Sequence, residues 1–260
     1  MKDFTINLTN KAGKFLLKNF RKDYSLLSIR GVAKEIATKY DKSSDELIIR
    51  SLENRTPDYN IMTEESGFRD KKSEYTWCVD SLDGSSNFAV GNPLFAISVA
   101  LLHHDKPILG IAHAPFLKET FVSEEGKGTL LNGRTVHVSD MNSLEKSYIL
   151  TCEGKEKDNV RISRINSIIH PNVKDLKKLG SAALESGWVS CSRADAYITT
   201  SIDPWDVAAG VLFVEEAGGK VTDFEGNKWK PMKTDVFMSN GRIHDKILGI
   251  LYRRNILNKK

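Results

Sequence analysis

The sequence predicts a mixed α/β protein whose amino-terminal half contains an antiparallel meander. Apolar residues recur at helical spacing over residues 4–20, which predicts a surface helix packed on the core. Strand-like runs at 95–103, 108–113 and 119–123 follow one another through short hairpin-like connections. The pair Asn132-Gly133 then favours another tight hairpin. Helices and an antiparallel sheet are therefore expected in one chain.

The remaining elements continue this mixture and divide into two halves. Further helices are predicted over residues 39–53, 160–169, 179–192, 203–219 and 242–257. Further strands are predicted at residues 147–152, 196–200, 220–224 and 236–239. A change of composition near residues 140–146 suggests the boundary. We therefore expect an amino-terminal α+β half, residues 1–143, and a carboxyl-terminal α/β half, residues 144–260.

The composition is that of an ordinary globular protein. Hydrophobic residues make up 40% and charged residues 28%, and the net charge of +4 is weak support for a nucleic-acid partner. The three cysteines form no C-x-x-C pair, which favours a reduced, cytoplasmic protein. The amino terminus does not resemble a signal peptide, and no apolar run approaches the ~20 residues of a membrane span. We expect neither a nucleic-acid nor a membrane partner.

Residues 76–88 carry the strongest chemical signal. A short apolar run reads as a buried strand and ends at Asp80, followed by Asp83 and Gly84. The turn can aim both carboxylates at one point, where like charges require a cation or a proton. Gly84 lets the backbone approach a ligand, and the amides of residues 85–87 can face an anion if a helical turn starts there. A metal-assisted phosphate site is the first hypothesis.

Each of these features also has an ordinary structural explanation. An Asp-x-x-Asp-Gly turn is often a loop with a self-bonded aspartate. Asp41 and Asp206 would each suit the first turn of a helix, and adjacent glutamates such as Glu64 and Glu65 often serve solubility. If Glu64 and Glu65 end a strand, only one of them faces the site. The first amides of the helix near Gly180 could hold a substrate oxygen, or the small residues there could simply allow close packing.

Taken together, the motifs resemble the inositol monophosphatase family of magnesium-dependent, lithium-sensitive phosphatases. The matching segments are TEESG (63–67), DSLDGS (80–85), LGSAA (179–183) and PWDVAAG (204–210). Softer matches lie at residues 38–41, 126–133 and 215–219. Each motif is modest, but their joint order is specific and runs from the first helix to the last.

The resemblance implies an α-β-α-β-α layered sandwich like that of inositol monophosphatase and fructose-1,6-bisphosphatase, with the site between the halves. It implies two or three Mg²⁺ ions held by the carboxylates of Glu64, Asp80, Asp83 and Asp206 and by the Leu82 carbonyl. The implied catalytic residues are Asp41, Glu64 and Ser85. Of these, Asp41 and Ser85 would orient or deprotonate the attacking water. The implied substrate residues are Gly84, Ser85, Ser86, Gly180, Ser181, Ala182 and Glu185. No cysteine or histidine nucleophile is expected beside the acids, so no phosphoenzyme is needed.

Three departures from the family pattern bear on specificity. Ser81 stands where a proline is common, so the turn is expected to lose stiffness. Ser85 stands where threonine is common and offers the same hydroxyl. Thr199 falls where animal inositol phosphatases carry a glutamate that grips inositol hydroxyls. The metal chemistry is expected to persist, with a less specialised alcohol side.

The leading hypothesis is an Mg²⁺-dependent phosphomonoesterase that uses metal-activated water on inositol 1-phosphate and also accepts fructose 1,6-bisphosphate. A second hypothesis is a 3′-phosphoadenosine 5′-phosphate phosphatase, which shares the same acids but needs an adenine pocket. A third, of another class, is a non-catalytic binding protein that retained the fold. By resemblance alone, the protein is expected to form a homodimer and to act on a small phosphorylated polyol or sugar.

Overall fold

The structure is a computed structural model that describes residues 1–22, 32–152 and 159–254. The predicted end of the last helix, residues 255–257, lies outside the described residues, as does the side chain of Thr38. The helices are α1 (Lys2–Asn19), α2 (Val32–Arg55), α3 (Ser85–Ala89), α4 (Asn159–Ile169), α5 (Ala182–Ser190), α6 (Pro204–Glu216) and α7 (His244–Arg253). Among the described helices, none combines the length and apolarity needed to cross a membrane.

The first sheet has eight strands and occupies residues 60–136. Its strands are β1 (Asn60–Thr63), β2 (Gly67–Arg69), β3 (Tyr75–Asp83), β4 (Ala96–His103), β5 (Lys106–Ala114), β6 (Glu119–Glu124), β7 (Thr129–Leu131) and β8 (Arg134–Val136). The spatial order is β2-β1-β3-β4-β5-β6-β7-β8, and only β1 and β3 pair in parallel. Asn132 and Gly133 both have positive φ in the turn between β7 and β8. The predicted meander and its tight hairpin are confirmed.

The second sheet has five strands and mixed pairing. Its strands are β9 (Tyr148–Cys152), β10 (Asp175–Lys177), β11 (Ala196–Thr199), β12 (Lys220–Thr222) and β13 (Val236–Ser239). The order is β10-β9-β11-β13-β12, with parallel pairs on one side and antiparallel pairs on the other. Every strand of this sheet lies after residue 143 and every strand of the first lies before it. The division into two halves at that point stays a prediction.

Three apolar clusters stack these elements into five layers, α-β-α-β-α. The alternation along β3 shows how: Trp77 and Val79 pack against α1 and α2, while Cys78 faces the middle layer. That middle layer consists of α5 and α6, which lie between the two sheets. Isoleucines of α4 and α7, including Ile165 and Ile247, cover the outer face of the second sheet. The predicted layered sandwich is confirmed.

The middle layer depends on small residues at its contacts. A Cβ placed on Gly110 of β5 would lie 3.1 Å from the backbone of Ala209 on α6. A Cβ on Gly210 would lie 2.1 Å from the Ser186 hydroxyl of α5. These glycines allow α6 to pack closely on the first sheet and on α5, which fixes the end of α6 that carries Asp206.

Several element boundaries differ from the sequence prediction. Helix α2 begins at Val32, seven residues earlier than predicted, so Asp41 lies inside the helix and not in its first turn. Helix α5 begins at Ala182, because Ser181 is its N-cap and accepts from the amide of Leu184. Glu64 and Glu65 follow β1 in a turn, so strand alternation does not decide which of them faces the site.

Substitution of Gly210 by Ala is expected to destabilise the protein by about 1–3 kcal/mol, because the new methyl group overpacks the contact with Ser186. Urea unfolding followed by circular dichroism measures the change. Gly249→Ala in α7 is the matched control, since the nearest atom to its Cβ is 3.9 Å away. The control should be stabilised by about 0.8–1 kcal/mol. Equal stability of the two variants would contradict the proposed packing.

Candidate active site

A β-bulge places Asp80 and Asp83 on the same side of the first sheet. Side chains alternate along a strand, so residues three apart normally point to opposite faces. Asp80 pairs with Ser98 and Asp83 with Ala96, which means that β3 contains one extra residue between them. The predicted convergence of the two carboxylates therefore arises from a bulge within β3, and not from a turn at its end.

Three carboxylates from distant parts of the chain meet beside the bulge in β3. Glu64 comes from the turn after β1, Asp80 from β3 and Asp206 from the first turn of α6, and one oxygen of each lies within 4.8 Å of the others. Burial, together with the charges of Asp83 and Glu64, raises the pKa of Asp80 and of Asp206 well above the usual range. The cluster is unfavourable while its charges are unpaired.

These donors fit a hard divalent cation. All are carboxylate oxygens, and the Leu82 residue lines the same cavity beside them. Oxygen donors in this number suit Mg²⁺, which prefers carboxylates and retains several water ligands. A cation here would remove the repulsion that raises the pKa of Asp80 and Asp206.

Asp206 is held by the start of its own helix. Asp203 is the N-cap of α6 and Pro204 occupies the first position, as predicted. An oxygen of the Asp206 carboxylate accepts from the Asp203 amide at 3.0 Å, as in a capping box. Asp206 therefore caps its helix and also belongs to the carboxylate cluster, so the two interpretations of this residue are compatible.

Asp83 is tied to the start of α5. Its carboxylate accepts from the Ser181 hydroxyl at 2.5 Å and from the amides of Ala182 at 3.0 Å and Ala183 at 2.8 Å. Burial raises the pKa of Asp83 to about 6, although these three hydrogen bonds lower it. In this structure the first amides of α5, those of Ala182 and Ala183, donate to Asp83. A substrate role for this part of the chain stays a prediction.

Gly84 begins the short helix α3 beside these acids. Its φ of +84° is left-handed, and a Cβ there would lie 2.8 Å from the Leu94 carbonyl. The first bond of the helix runs from the Phe88 amide to the Gly84 carbonyl at 3.0 Å. The amides of residues 85–87 precede that bond, so they have no acceptor within the helix.

A cavity of about 510 Å³ connects the acids, α3 and the second half of the chain. From the predicted site, it is lined by Glu64, Asp80, Leu82, Asp83, Gly84, Ser85, Ser86, Gly180, Ala182 and Asp206. Ser181 and Glu185 do not line it. Ser181 binds Asp83, and Glu185 lies fully buried behind, where one carboxylate oxygen accepts from the amides of Leu179 and Gly180.

Sequence reasoning missed several residues on the wall of the cavity. These are Cys152, Lys178, Ser201, Ile202, Asp203 and Trp205. Asn87 also lines the cavity, and its amide was among the predicted anion donors. Cys152 lies on the same cavity wall as the acids, where no cysteine nucleophile was expected. Burial and the nearby Glu185 raise the pKa of the Cys152 thiol, so it is a poor nucleophile at neutral pH. Cys152 ends β9, and only the pairing of β9 with β11 brings it to the site.

Asp41 lies beside the cavity and not on its wall. It is 4% exposed, and the Ser81 hydroxyl donates to its carboxylate at 2.6 Å. Burial raises the pKa of Asp41 to about 7, opposed by that hydrogen bond. The Ser44 hydroxyl donates to the Ser81 carbonyl at 3.1 Å. Ser81 thus ties the bulge to α2, which offsets the stiffness that was expected to be lost without proline.

Thr199 is buried at the end of β11. It is absent from the cavity wall. The position at which animal inositol phosphatases carry a glutamate therefore supplies no carboxylate to the cavity of this chain.

Known proteins are similar to this chain over nearly its whole length. The model of the inositol monophosphatase family matches residues 1–255. The fructose-1,6-bisphosphatase/inositol-1-monophosphatase of Thermotoga maritima is 36% identical over 96% of this chain and 94% of its own length. The inositol monophosphatase of Dictyostelium discoideum is 33% identical, covering 97% and 95% of the two chains. The crystal structure of the extragenic suppressor protein suhB from Bartonella henselae superposes with a TM-score of 0.86 at 29% identity, covering 96% and 98%.

Buried Glu185 predicts a characteristic pH dependence of stability. Burial raises the pKa of Glu185 to about 8 in the folded protein, above its ordinary value of 4.5. The folded state therefore binds the proton more tightly, and the free energy of unfolding should fall as pH rises from about 4.5 to 8. Glu185→Gln keeps the acceptor for Leu179 and Gly180 and removes the charge. Its stability relative to wild type should rise across that pH range.

Urea unfolding of the metal-free protein at several pH values tests this prediction. Glu145→Gln removes an exposed carboxylate and is the matched control, which should give a curve parallel to that of the wild type. If the curve of Glu185→Gln also runs parallel to the wild type, then Glu185 does not titrate differently in the folded state.

Proposed function

Because the chain belongs to the inositol monophosphatase family, we propose that it is an Mg²⁺-dependent phosphoric monoester hydrolase that acts on inositol 1-phosphate and on fructose 1,6-bisphosphate. The observation that carries the proposal is the meeting of Glu64, Asp80 and Asp206 beside the Gly84 turn. Carboxylates suited to hard cations and the first residues of α3, whose amides have no acceptor within the helix, then line one cavity.

The acids would hold two or three Mg²⁺ ions, with Glu64, Asp80, Asp83, Asp206 and the Leu82 carbonyl as ligands. Bound Mg²⁺ supplies Lewis acidity and lowers the pKa of a coordinated water. Asp83 keeps its orientation through the bonds from Ser181 and α5. These three bonds use three of the roughly four lone-pair sites of the carboxylate and leave one for a cation.

Asp41 and Ser85 are proposed to orient or deprotonate the attacking water. A pKa of about 7 for Asp41 lies near neutral pH, where a general base works best. The bond from Ser81 fixes the Asp41 carboxylate, and Ser85 lines the cavity at the first position of α3. The Cys152 thiol has a raised pKa, which favours water as the nucleophile over a cysteine.

The substrate would lie with its phosphate at Gly84, Ser85 and Ser86 and its alcohol part toward Gly180 and Ala182. Those five residues line one continuous cavity. Ser181 and Glu185 would act from behind, by fixing the loop that precedes α5. Thr199 is buried and carries no carboxylate at the position where the resemblance implies a glutamate, which supports a broader alcohol specificity.

The alternatives are weaker. The named relatives do not favour a 3′-phosphoadenosine 5′-phosphate phosphatase. A non-catalytic protein that kept the fold would be expected to have lost one of the metal-binding acids. This chain retains all four of them, Glu64, Asp80, Asp83 and Asp206. A cytoplasmic location and a homodimer remain proposals. The first is supported by an odd number of cysteines without a C-x-x-C pair, and the second by the family resemblance.

A substrate panel is the direct test of the proposed function. With Mg²⁺ present, purified protein should release phosphate from inositol 1-phosphate and from fructose 1,6-bisphosphate, and chelation of the metal should abolish the release. The panel also includes 3′-phosphoadenosine 5′-phosphate, and faster turnover of that nucleotide would favour the second hypothesis. A lack of phosphate release from all substrates would refute the enzymatic proposal.

The two adjacent glutamates provide a matched pair of variants. Glu64→Gln removes one charge from the carboxylate cluster and should lower kcat by about 10²–10³-fold, as loss of other charge-stabilising groups does. Glu65→Gln makes the same chemical change one residue away, outside the cluster and the cavity wall, and should stay within about threefold of wild type. Steady-state assays at saturating Mg²⁺ give both values, and equal losses would remove Glu64 from the ligand set.

A further inference from the structure

We infer that Glu74, His103 and His104 form a second metal site, which takes a divalent transition metal of the Zn²⁺ class. One donor atom of each residue lies within 4.8 Å of the others. The cluster contains two imidazoles and one carboxylate, whereas the candidate active site contains carboxylates alone. The inference does not depend on the proposed function.

The pairing of β3 with β4 brings the three residues together. Tyr75 pairs with His103, so Glu74 lies opposite the hairpin that begins at His104. The amide of His104 donates to the Glu74 carbonyl at 2.6 Å. His104 has a φ of +53°, so its side chain leaves the alternation of the strand and lies beside that of His103. Adjacent histidines on a regular strand would point to opposite faces.

The donor atoms are close to metal-binding distances. His103 Nε2 lies 3.6 Å from one oxygen of Glu74, and His104 Nε2 lies 4.0 Å from the other. Ligands of a tetrahedral zinc ion at about 2.0–2.1 Å stand about 3.3 Å apart. The side chains are 42–68% exposed, so small rotations can close the remaining gap. Three protein ligands leave the fourth position for water.

Stacked rings hold His103 in place. Tyr59 stacks on Tyr75 with ring centroids 4.8 Å apart, and Tyr75 stacks on His103 at 4.7 Å. His103 in turn stacks on His104 at 4.5 Å. The row of four rings restricts the orientation of the imidazole, which lowers the entropy that is lost when a metal binds.

The chemistry and position separate this cluster from the candidate active site. Imidazole ligands suit Zn²⁺, Cu²⁺ and Ni²⁺, whereas Mg²⁺ prefers oxygen donors. Glu74 precedes β3, and Asp80 lies six residues further on, about 20 Å along an extended strand. A metal at Glu74 therefore binds independently of one at Asp80. Sequence spacing did not indicate the site, since Glu74 is remote from the two histidines in the chain.

Titration of the untagged, full-length protein with Zn²⁺ in saturating Mg²⁺ tests the inference. Isothermal titration calorimetry should detect one Zn²⁺ site in the wild type. The double variant His103→Gln/His104→Gln should weaken that site at least 100-fold. His137→Gln/His170→Gln removes two other exposed histidines and is the matched control, which should bind Zn²⁺ as the wild type does. Equal Zn²⁺ affinity of the His103/His104 double variant and the wild type would overturn the inference.

Electron paramagnetic resonance of bound Cu²⁺ identifies the donors directly. At one equivalent of Cu²⁺, the wild type should show hyperfine coupling to nitrogen, which the oxygen-only carboxylate cluster cannot give. The coupling should disappear in the His103→Gln/His104→Gln variant and persist in the control. A wild-type spectrum without nitrogen coupling would show that the imidazoles do not bind the metal.

Discussion

Mutual repulsion among buried carboxylates is the constraint on which the rest of this structure depends. Asp80, Asp83 and Asp206 are held close together, and burial raises the pKa of each. The fold offsets part of this cost with dipoles. The start of α5 donates three bonds to Asp83, and the Asp203 amide donates to Asp206. A divalent cation would remove the rest of this cost. The same repulsion therefore lowers the stability of the metal-free protein and raises its affinity for the metal.

Local pattern predicted most of the secondary-structure elements. Periodicity identified the meander, and the Asp203-Pro204 pair identified the start of α6, because both signals lie within a few neighbouring residues. Local pattern brought only Asp80 and Asp83 together, and the resemblance to the family added Glu64 and Asp206 to the same set of acids. The comparisons with known proteins then confirmed the family and the layered fold.

The features that sequence did not predict all depend on contacts between distant residues. The bulge in β3 is visible only from its pairing with β4, and the α5 amides bind Asp83 because the two halves of the chain meet there. The hydroxyl of Ser81 reaches Asp41 across forty positions, which no local propensity encodes. Cys152 reaches the cavity in the same way, through the pairing of β9 with β11. The acids of the site were thus easier to predict from the sequence than the hydrogen bonds and strand pairings that hold them in place.

Asn87 connects two parts of the cavity wall, α3 and the loop before α5. Its side-chain nitrogen donates to the carbonyls of Leu94 and Leu179, and its oxygen accepts from Asn92. These bonds hold α3 and the loop at a fixed separation. A change in the width of the cavity would therefore be easier to engineer at wall residues outside these bonds, such as Cys152 and Ser201.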